Sequence, residues 1–252
     1  MENTGSITRL SRHTHKKIVK VKKRYIYSIQ DSLFGHRDII GFGTDEFNVK
    51  VIERDIANDI IKKNHYSKKF YNATYIHLGV YENDNMLGVL QYGYAMNPAS
   101  CGSVVEGTEM NQYLELNRMW LSDELETKYP ESRAISYSVK YIKRKYPKIK
   151  WIQSFADERC GGFGIVYQAC TFSYYGEHLN KFWELDGETF HNSIMTSEKA
   201  GKRGYRLLND IKNKDRIIKH ELRQFRYIKF LDQREKKKCL LKEQPYPKHY
   251  KE

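Results

Sequence analysis

Apolar and polar residues alternate with a period of two along several stretches of this chain. Thr74, Ile76, Leu78 and Val80 interleave with Tyr75, His77, Gly79 and Tyr81, and beyond the polar run Glu82-Asn83-Asp84-Asn85 lies a second apolar segment, Leu87–Tyr92. Two such segments around turn-forming residues predict a β-hairpin. After a glycine-containing loop around residues 97–107, Tyr113–Leu121 reads as a further strand, and so does Trp151–Phe155. Phe182–Leu185 and Glu188–His191 flank Asp186-Gly187, a strong signal for a two-residue hairpin turn.

Two segments carry a helical period instead. Asp55–Lys63 spaces Ile56 and Ile60 by one turn, with acidic residues early and lysines at its end, where the helix dipole favours them; His65 and Tyr66 lie just beyond. Pro130-Glu131-Ser132 opens a second helix with an inner stripe of Ile135, Val139, Ile142 and Tyr146, stopped by Pro147. From Lys199 onward Leu207, Leu208, Ile211, Ile217, Ile218 and Leu222 predict a helix or two, and Lys236–Lys238 with Gln244–Pro247 reads as a tail.

Strand Trp151–Phe155 runs into Asp157, then Gly161, Gly162 and Gly164, then a short helix bearing Tyr167. Glycines let a backbone turn sharply or approach a ligand closely, so Asp157 and Tyr167 are expected to converge on one cleft. The spacing does not match the dinucleotide fingerprint G-x-G-x-x-G, and a Rossmann reading is set aside.

Composition changes the picture at the ends. Within a net charge of +13, residues 1–24 carry +7 and residues 199–252 carry +11, leaving −5 for residues 25–198. An acidic centre (25–198) between a basic N-terminal arm (1–24) and a basic, partly helical C-terminal extension (199–252) suits a polyanion partner such as DNA; solvating tails are the bland alternative. The 252 residues, 40% of them hydrophobic, suffice for one substantial core, and no apolar run is long enough to span a bilayer. Polar Met1–Ser6 leads into basic residues without an apolar h-region, so a soluble, cytoplasmic protein with no membrane partner is expected. Cys101, Cys160, Cys170 and Cys239 form no C-x-x-C pair, and incidental thiols are expected rather than disulfides or structural zinc.

The order helix, hairpin, strand, helix, strand, helix, hairpin resembles the GNAT acyltransferase fold: α/β, with a central mixed, largely antiparallel sheet flanked by helices. More specific are Asn64-His65-Tyr66-Ser67, Leu114–Trp120, Glu131–Tyr137 and Phe155–Ala169. Together they resemble the Mom family of bacteriophage DNA-modification enzymes over about residues 50–196. That resemblance implies acetyl-CoA-dependent modification of the exocyclic N6 of adenine in DNA, giving an acetamido or methylcarbamoyl group that shields phage DNA from host restriction. Matched by motif, it points to His65, Tyr66, Arg118, Ser132, Asp157 and Tyr167, and it suggests iron, for which the sequence has no facial-triad spacing. The usual GNAT pyrophosphate loop is missing before Ala134; Ser132, Arg133 and the helix N-terminal amides stand in its place.

The chemistry sets roles of its own. Breaking a thioester calls for donors at the developing oxyanion, which backbone amides around Met119, Trp120 and Leu121 could provide, and for a proton for the departing thiolate, a role that fits Tyr167. Adenine N6 is a poor nucleophile and needs a base or metal beside it, with Asp157 and His65 as candidates. Phe70, Tyr71, Tyr75, Tyr92 and Tyr94 offer aromatic surface for a flipped base, or core for the sheet. Each site residue also has a plain role open to it: packing for Tyr167, capping for Asp157 and Ser132, an ion pair with Glu115 or Glu131 for Arg118. The competing functions are a GNAT N-acetyltransferase acting on a protein or small amine, and a non-enzymatic nucleic-acid-binding protein.

Overall fold

The structure is a computed structural model describing residues 24–31, 35–195 and 202–248. Ten strands form one sheet: β1 (Ile26–Asp31), β2 (Arg37–Gly43), β3 (Phe47–Val51), β4 (Thr74–Glu82), β5 (Asn85–Gly93), β6 (Tyr113–Leu121), β7 (Trp151–Asp157), β8 (Ser173–Leu185), β9 (Glu188–His191) and β10 (Ile217–Phe230). Their order is β1-β2-β3-β4-β5-β6-β7-β10-β8-β9, and among the described strands only β6 and β7 run parallel. This is the mixed sheet, mostly antiparallel and flanked by helices, that the sequence implied. No helix among the described residues is long and apolar enough to cross a membrane.

Local sequence explains the turns. Asn83 and Asp84 between β4 and β5, and Asp186 and Gly187 between β8 and β9, all have positive φ, as a two-residue hairpin turn of the primed type requires. Helix α1 (Arg54–Asn64) covers one face of the sheet and α2 (Pro130–Lys145) the other, with Pro130 in the first turn of α2 and Lys143, Arg144 and Lys145 in its last. The α1 stripe differs from the one expected. Ala57 and Ile61 are buried against Val89, while Ile56 is 46% exposed, because small Ala57 lets the helix sit close to the sheet.

Under α2 lies the main core, where Leu90, Leu114, Ile135, Ile142, Ile152 and Phe225 are buried together. A second cluster, Tyr113, Trp151, Tyr175, Ile228 and Phe230, packs at the end where β6 and β7 begin.

Two expectations fail. Residues 26–51, for which the pattern predicted no element, form β1–β3. In the C-terminal extension the expected helix exists as α4 (Arg203–Asn209), after α3 (Ile165–Ala169), but residues 217–230 are strand β10, inserted between β7 and β8. Its second half, from Gln224, is paired on both sides, and its first half pairs with β8, so it sits within the sheet despite a charged sequence. The supposed tail also packs: Cys239 bridges to Val105, Gln244 to Tyr174, and the Tyr246 hydroxyl donates to the Phe172 carbonyl. Short α5 (Gln233–Lys236) leads into it. The basic arm up to residue 23, with His13 and His15, lies outside the described residues.

Candidate active site

Strands β6 and β7 pair only at Tyr113↔Trp151, Leu114↔Ile152 and Glu115↔Gln153, then part. From Leu116 to Leu121 the backbone of β6 has no strand partner on its β7 side, so a V-shaped gap opens toward the C-terminal ends of both strands. Ligands of open α/β sheets bind at such ends. An irregularity in the β5–β6 register at Asn117 shifts the alternation of β6 by one residue, so that Glu115, Asn117 and Arg118 all line the cavity on the α1 side.

On the α2 side of the gap sits Tyr167. Gly164 starts α3 at φ +80°, and a Cβ there would meet the Tyr227 ring at 2.4 Å, so both the turn and the close approach demand glycine. This fold-back buries Tyr167 against Phe172 and Tyr227. Ser154 Oγ donates to the Tyr167 hydroxyl at 2.9 Å and lies 3.2 Å from the Leu116 carbonyl across the gap. Burial pushes the Tyr167 phenol up to about 12, against the pull of the Ser154 bond, so it holds its proton at neutral pH.

On the α1 side the gap opens into a cavity of about 480 Å³. Its floor is β6, β7, β10 and β8; Tyr66 and Tyr71 from the α1–β4 connection and Phe155 and Phe182 from the sheet give it aromatic walls. A larger hollow of 680 Å³ lies at the opposite end, around Ile149 and Leu231, away from the gap and the glycine hinge.

Three guanidiniums line the cavity. Asp157 and Arg159 form a bidentate pair, with Nη2 to Oδ2 at 2.6 Å and Nε to Oδ2 at 3.1 Å, and the Arg159 amide also donates to Asp157. The Arg159 guanidinium lies 4.0 Å from the Phe182 ring centroid and 5.3 Å from that of Tyr66, a cation–π arrangement on both. Arg118 donates to the Lys69 and Asn117 carbonyls and leans on the Tyr71 ring. Arg226 donates to Gln153 Oε1, and Gln153 Nε2 donates to Glu115 at 2.8 Å.

His65 caps the end of α1 and is buried, with the Tyr66 ring tilted against it at 4.2 Å between centroids. Its Nδ1 accepts from the Ser67 amide, which assigns the proton to Nε2. Burial, then Arg118, Arg159 and Lys68, push it down to about 4, so the ring is neutral at physiological pH. The Tyr66 hydroxyl is raised by burial and by the nearby Asp157 carboxylate.

The model of the Mom protein family matches residues 46–248. The chain belongs to the Mom protein family. It is 47% identical over 214 residues to "Methylcarbamoylase mom" of Escherichia phage Mu, covering 83% of this chain and 87% of that relative. Among solved structures, the ribosomal-protein-S5-alanine acetyltransferase from Vibrio fischeri aligns over 77% of this chain and 97% of its own at TM-score 0.44 and 12% identity. The spermidine/spermine N-acetyltransferase SpeG from Vibrio cholerae aligns over 74% and 93% at TM-score 0.44 and 11% identity.

Seen in the Mom fold, the expected site residues fall into two groups. Tyr66, Arg118 and Asp157 meet at the cavity, with His65 behind Tyr66. Tyr167, Met119, Leu121, Ser132 and Arg133 lie toward α2. Arg118 lines the cavity on the α1 side. Trp120 packs against α1 with Ala57 and Ile61, so only its backbone is available to a ligand in the gap. Ser132 does not cap α2: its hydroxyl donates back to the Tyr129 carbonyl, and Arg133 rests over Phe47.

The expected bases are both engaged, Asp157 by Arg159 and His65 Nδ1 by Ser67. Iron has no donor set: among the described residues no three of His, Cys, Asp and Glu converge to hold a metal. Of the aromatic residues, Tyr71 lines the cavity, whereas Tyr92 is fully buried core bonded to Ser138. Sequence reasoning missed Arg159, in the turn that follows β7, and also Gln153 and Arg226, which alternation on β7 and β10 would have faced to one side once β10 was recognised. It also missed Glu82, whose carboxylate accepts from the Glu126 and Thr127 amides at 2.9 Å, just ahead of α2.

Proposed function

We propose that this chain modifies the exocyclic N6 of adenine in DNA, drawing on acetyl-CoA, and leaves an acetamido- or methylcarbamoyl-type group that protects phage DNA from host restriction. The observation that carries this reading is the 47% identity to a phage methylcarbamoylase over 83% of the chain. The cavity supports it: about 480 Å³ falls within the roughly 300–1,000 Å³ usual for ligand sites, and its aromatic walls suit a base taken out of the stack.

The α2 side of the gap fits acetyl-CoA. Unpaired β6 backbone at Met119–Leu121 can donate to a carbonyl oxygen, and the Tyr167 hydroxyl lies at the gap. Because Glu82 already takes the Glu126 and Thr127 amides, the first-turn amides of α2, with Ser132 and Arg133, are the seat for the pyrophosphate. When bound, acetyl-CoA supplies an activated thioester carbonyl. Direct acyl transfer would leave an acetyl group on N6, and a methylcarbamoyl group carries one nitrogen more than that.

The chain's own residues then divide the work. Tyr167 holds a proton for a leaving thiolate. Arg118, Arg159 and Arg226 make the cavity attractive to the phosphates flanking a flipped base, and Tyr71 and Phe155 offer the base an aromatic wall. Asp157 fixes Arg159 between Tyr66 and Phe182, and His65 supports Tyr66 from behind.

Plasmid DNA from cells expressing the protein, digested to nucleosides and weighed by mass spectrometry, tests the reading. A modified deoxyadenosine supports it, whereas unmodified DNA together with an acetylated protein or polyamine supports an ordinary N-acetyltransferase. Acetyl-CoA should also stabilise the fold by about 2.7 kcal/mol at a hundredfold excess over Kd, and ATP less. Absence of any thermal shift at millimolar acetyl-CoA removes the cofactor.

A further inference from the structure

Glu115 is the last residue of β6 to pair with β7, so its side chain stands at the apex of the gap, on the cavity side. Two neutral amides hold its carboxylate, Gln153 Nε2 at 2.8 Å on Oε2 and Asn117 Nδ2 at 3.1 Å on Oε1. The two guanidiniums facing it are turned to other acceptors, Arg118 to the Lys69 and Asn117 carbonyls and Arg226 to Gln153 Oε1. Glu115 is therefore positioned without being clamped by a cation. Asp157, on the same cavity, is in the opposite state, with Arg159 across its carboxylate. Beside Glu115, the Oδ1 of Asn117 is buried without a hydrogen-bond partner among the described residues.

We propose that Glu115 is the catalytic base of this site, taking the proton that the acceptor amine loses as its nitrogen bonds to carbon. The inference rests on the amine-modifying reading above. For transfer from a thioester, the nitrogen–carbon bond forms and the carbon–sulfur bond breaks. The N–H proton goes to a Glu115 oxygen, and the departing sulfur takes its electron pair and the proton of Tyr167.

Chemistry supports the assignment. Burial raises the Glu115 carboxyl to about 7, against the opposing effects of Gln153, Asn117, Arg226 and Arg118. A base is most effective when it titrates near the working pH. The other titratable groups that feel this carboxylate are Tyr71 from the α1–β4 connection, Tyr113 on β6 and Tyr167 on α3, all of them protonated at neutral pH.

The test compares wild-type protein with Glu115→Gln and Glu115→Asp by the modified-deoxyadenosine content of plasmid from expressing cells. Circular dichroism and the acetyl-CoA thermal shift report folding. Glu115→Gln should lose about 10²–10⁴-fold in modification while keeping the thermal shift, and Glu115→Asp, which keeps a carboxylate, should recover part of it. With glutamate labelled by carbon-13 at its carboxyl, wild-type protein should show one resonance titrating near pH 7 that Glu115→Gln lacks. A wild type that modifies DNA beside a Glu115→Gln protein that modifies it equally well overturns the base and leaves the functional reading standing. A folded wild type that modifies no adenine removes both. Should Glu115→Gln not fold, equal inactivity of a folded Glu115→Asp and absence of the titrating resonance from wild-type protein together overturn the proposal.

Discussion

The carboxylate of Asp157 is gripped by the guanidinium of Arg159, two residues on, at 2.6 Å, and that guanidinium is in turn stacked between Phe182 and Tyr66. A residue that sequence alone offers as a base is thus the anchor of a cation. Asp157→Asn keeps the shape and the cap to the Arg159 amide but loses the charge match. It should cost about 1–3 kcal/mol of stability, the usual loss when a buried charged hydrogen bond is left without its partner. Modification should fall because Arg159 is released, and Arg159→Ala should reproduce the defect. If Asp157→Asn is inactive while Arg159→Ala is fully active, the carboxylate acts directly rather than through Arg159.

Tyr167 lies under the gap with its hydroxyl bonded by Ser154. Tyr167→Phe removes that oxygen and little else, so it should cost about 1 kcal/mol in denaturant unfolding. Modification should fall by about 10²–10⁴ if the hydroxyl protonates the leaving group. Normal modification by the folded variant would return Tyr167 to a packing role.

Two buried groups set opposing slopes of stability against pH. His65 is lowered from 6.5 to about 4, so its contribution is present above 6.5 and is lost as pH falls toward 4. Glu115 is raised from 4.5 to about 7, so its contribution is present below 4.5 and is lost as pH rises through 7. Denaturant midpoints should therefore rise more steeply from pH 4.5 to 7 in Glu115→Gln than in wild type. In His65→Asn, whose Oδ1 can still accept from the Ser67 amide, they should rise less steeply. Parallel curves for all three proteins would refute both assignments.

The hinge glycines differ in what they tolerate. Gly161 has φ +69° with nothing near a built Cβ, so Gly161→Ala should cost only the left-handed backbone term, about 1–2 kcal/mol. Gly164→Ala adds contact with the Tyr227 ring, an overpacking cost of about 1–3 kcal/mol more, and should disturb Tyr167. Thermal melts of the two variants, with plasmid modification alongside, distinguish the cases; equal losses would mean that Tyr227 yields freely.

The two basic ends should behave differently when trimmed. Removing residues 1–17 should make the salt dependence of DNA binding shallower, by about 0.9 in log–log slope for each phosphate no longer neutralised, with the melting temperature unchanged. Removing residues 239–252 strips Cys239 and Leu241 from their cluster and the Tyr246 bond from Phe172, and should lower the melting temperature first. An unchanged salt slope in the N-terminal truncation would move the DNA surface to the central sheet.

Elements with local signals were legible in the chain before any folding was considered. A two-residue alternation marks β4 and β7, apolar runs mark β5 and β6, and Asp186-Gly187 marks its hairpin because few residue pairs adopt positive φ at both positions. Pro130 and Pro147 bound α2 for equally local reasons, and the family motifs led to Tyr167 and Asp157. Whatever depends on partners distant in the chain needed the folded molecule. Strand β10 is charged at Lys219, Glu221, Arg223 and Arg226, and it belongs in the sheet because β8 pairs with it along most of its length and β7 pairs with its second half, from Gln224 to Phe230. The chemical state of the carboxylates is likewise non-local. Asp157 is neutralised by a guanidinium that two aromatic rings hold in place, whereas Glu115 is buried among amides from β6 and β7 with no cation bound to it. Sequence names both as acids; which of them is free to take a proton follows from desolvation and from which way the surrounding arginines turn.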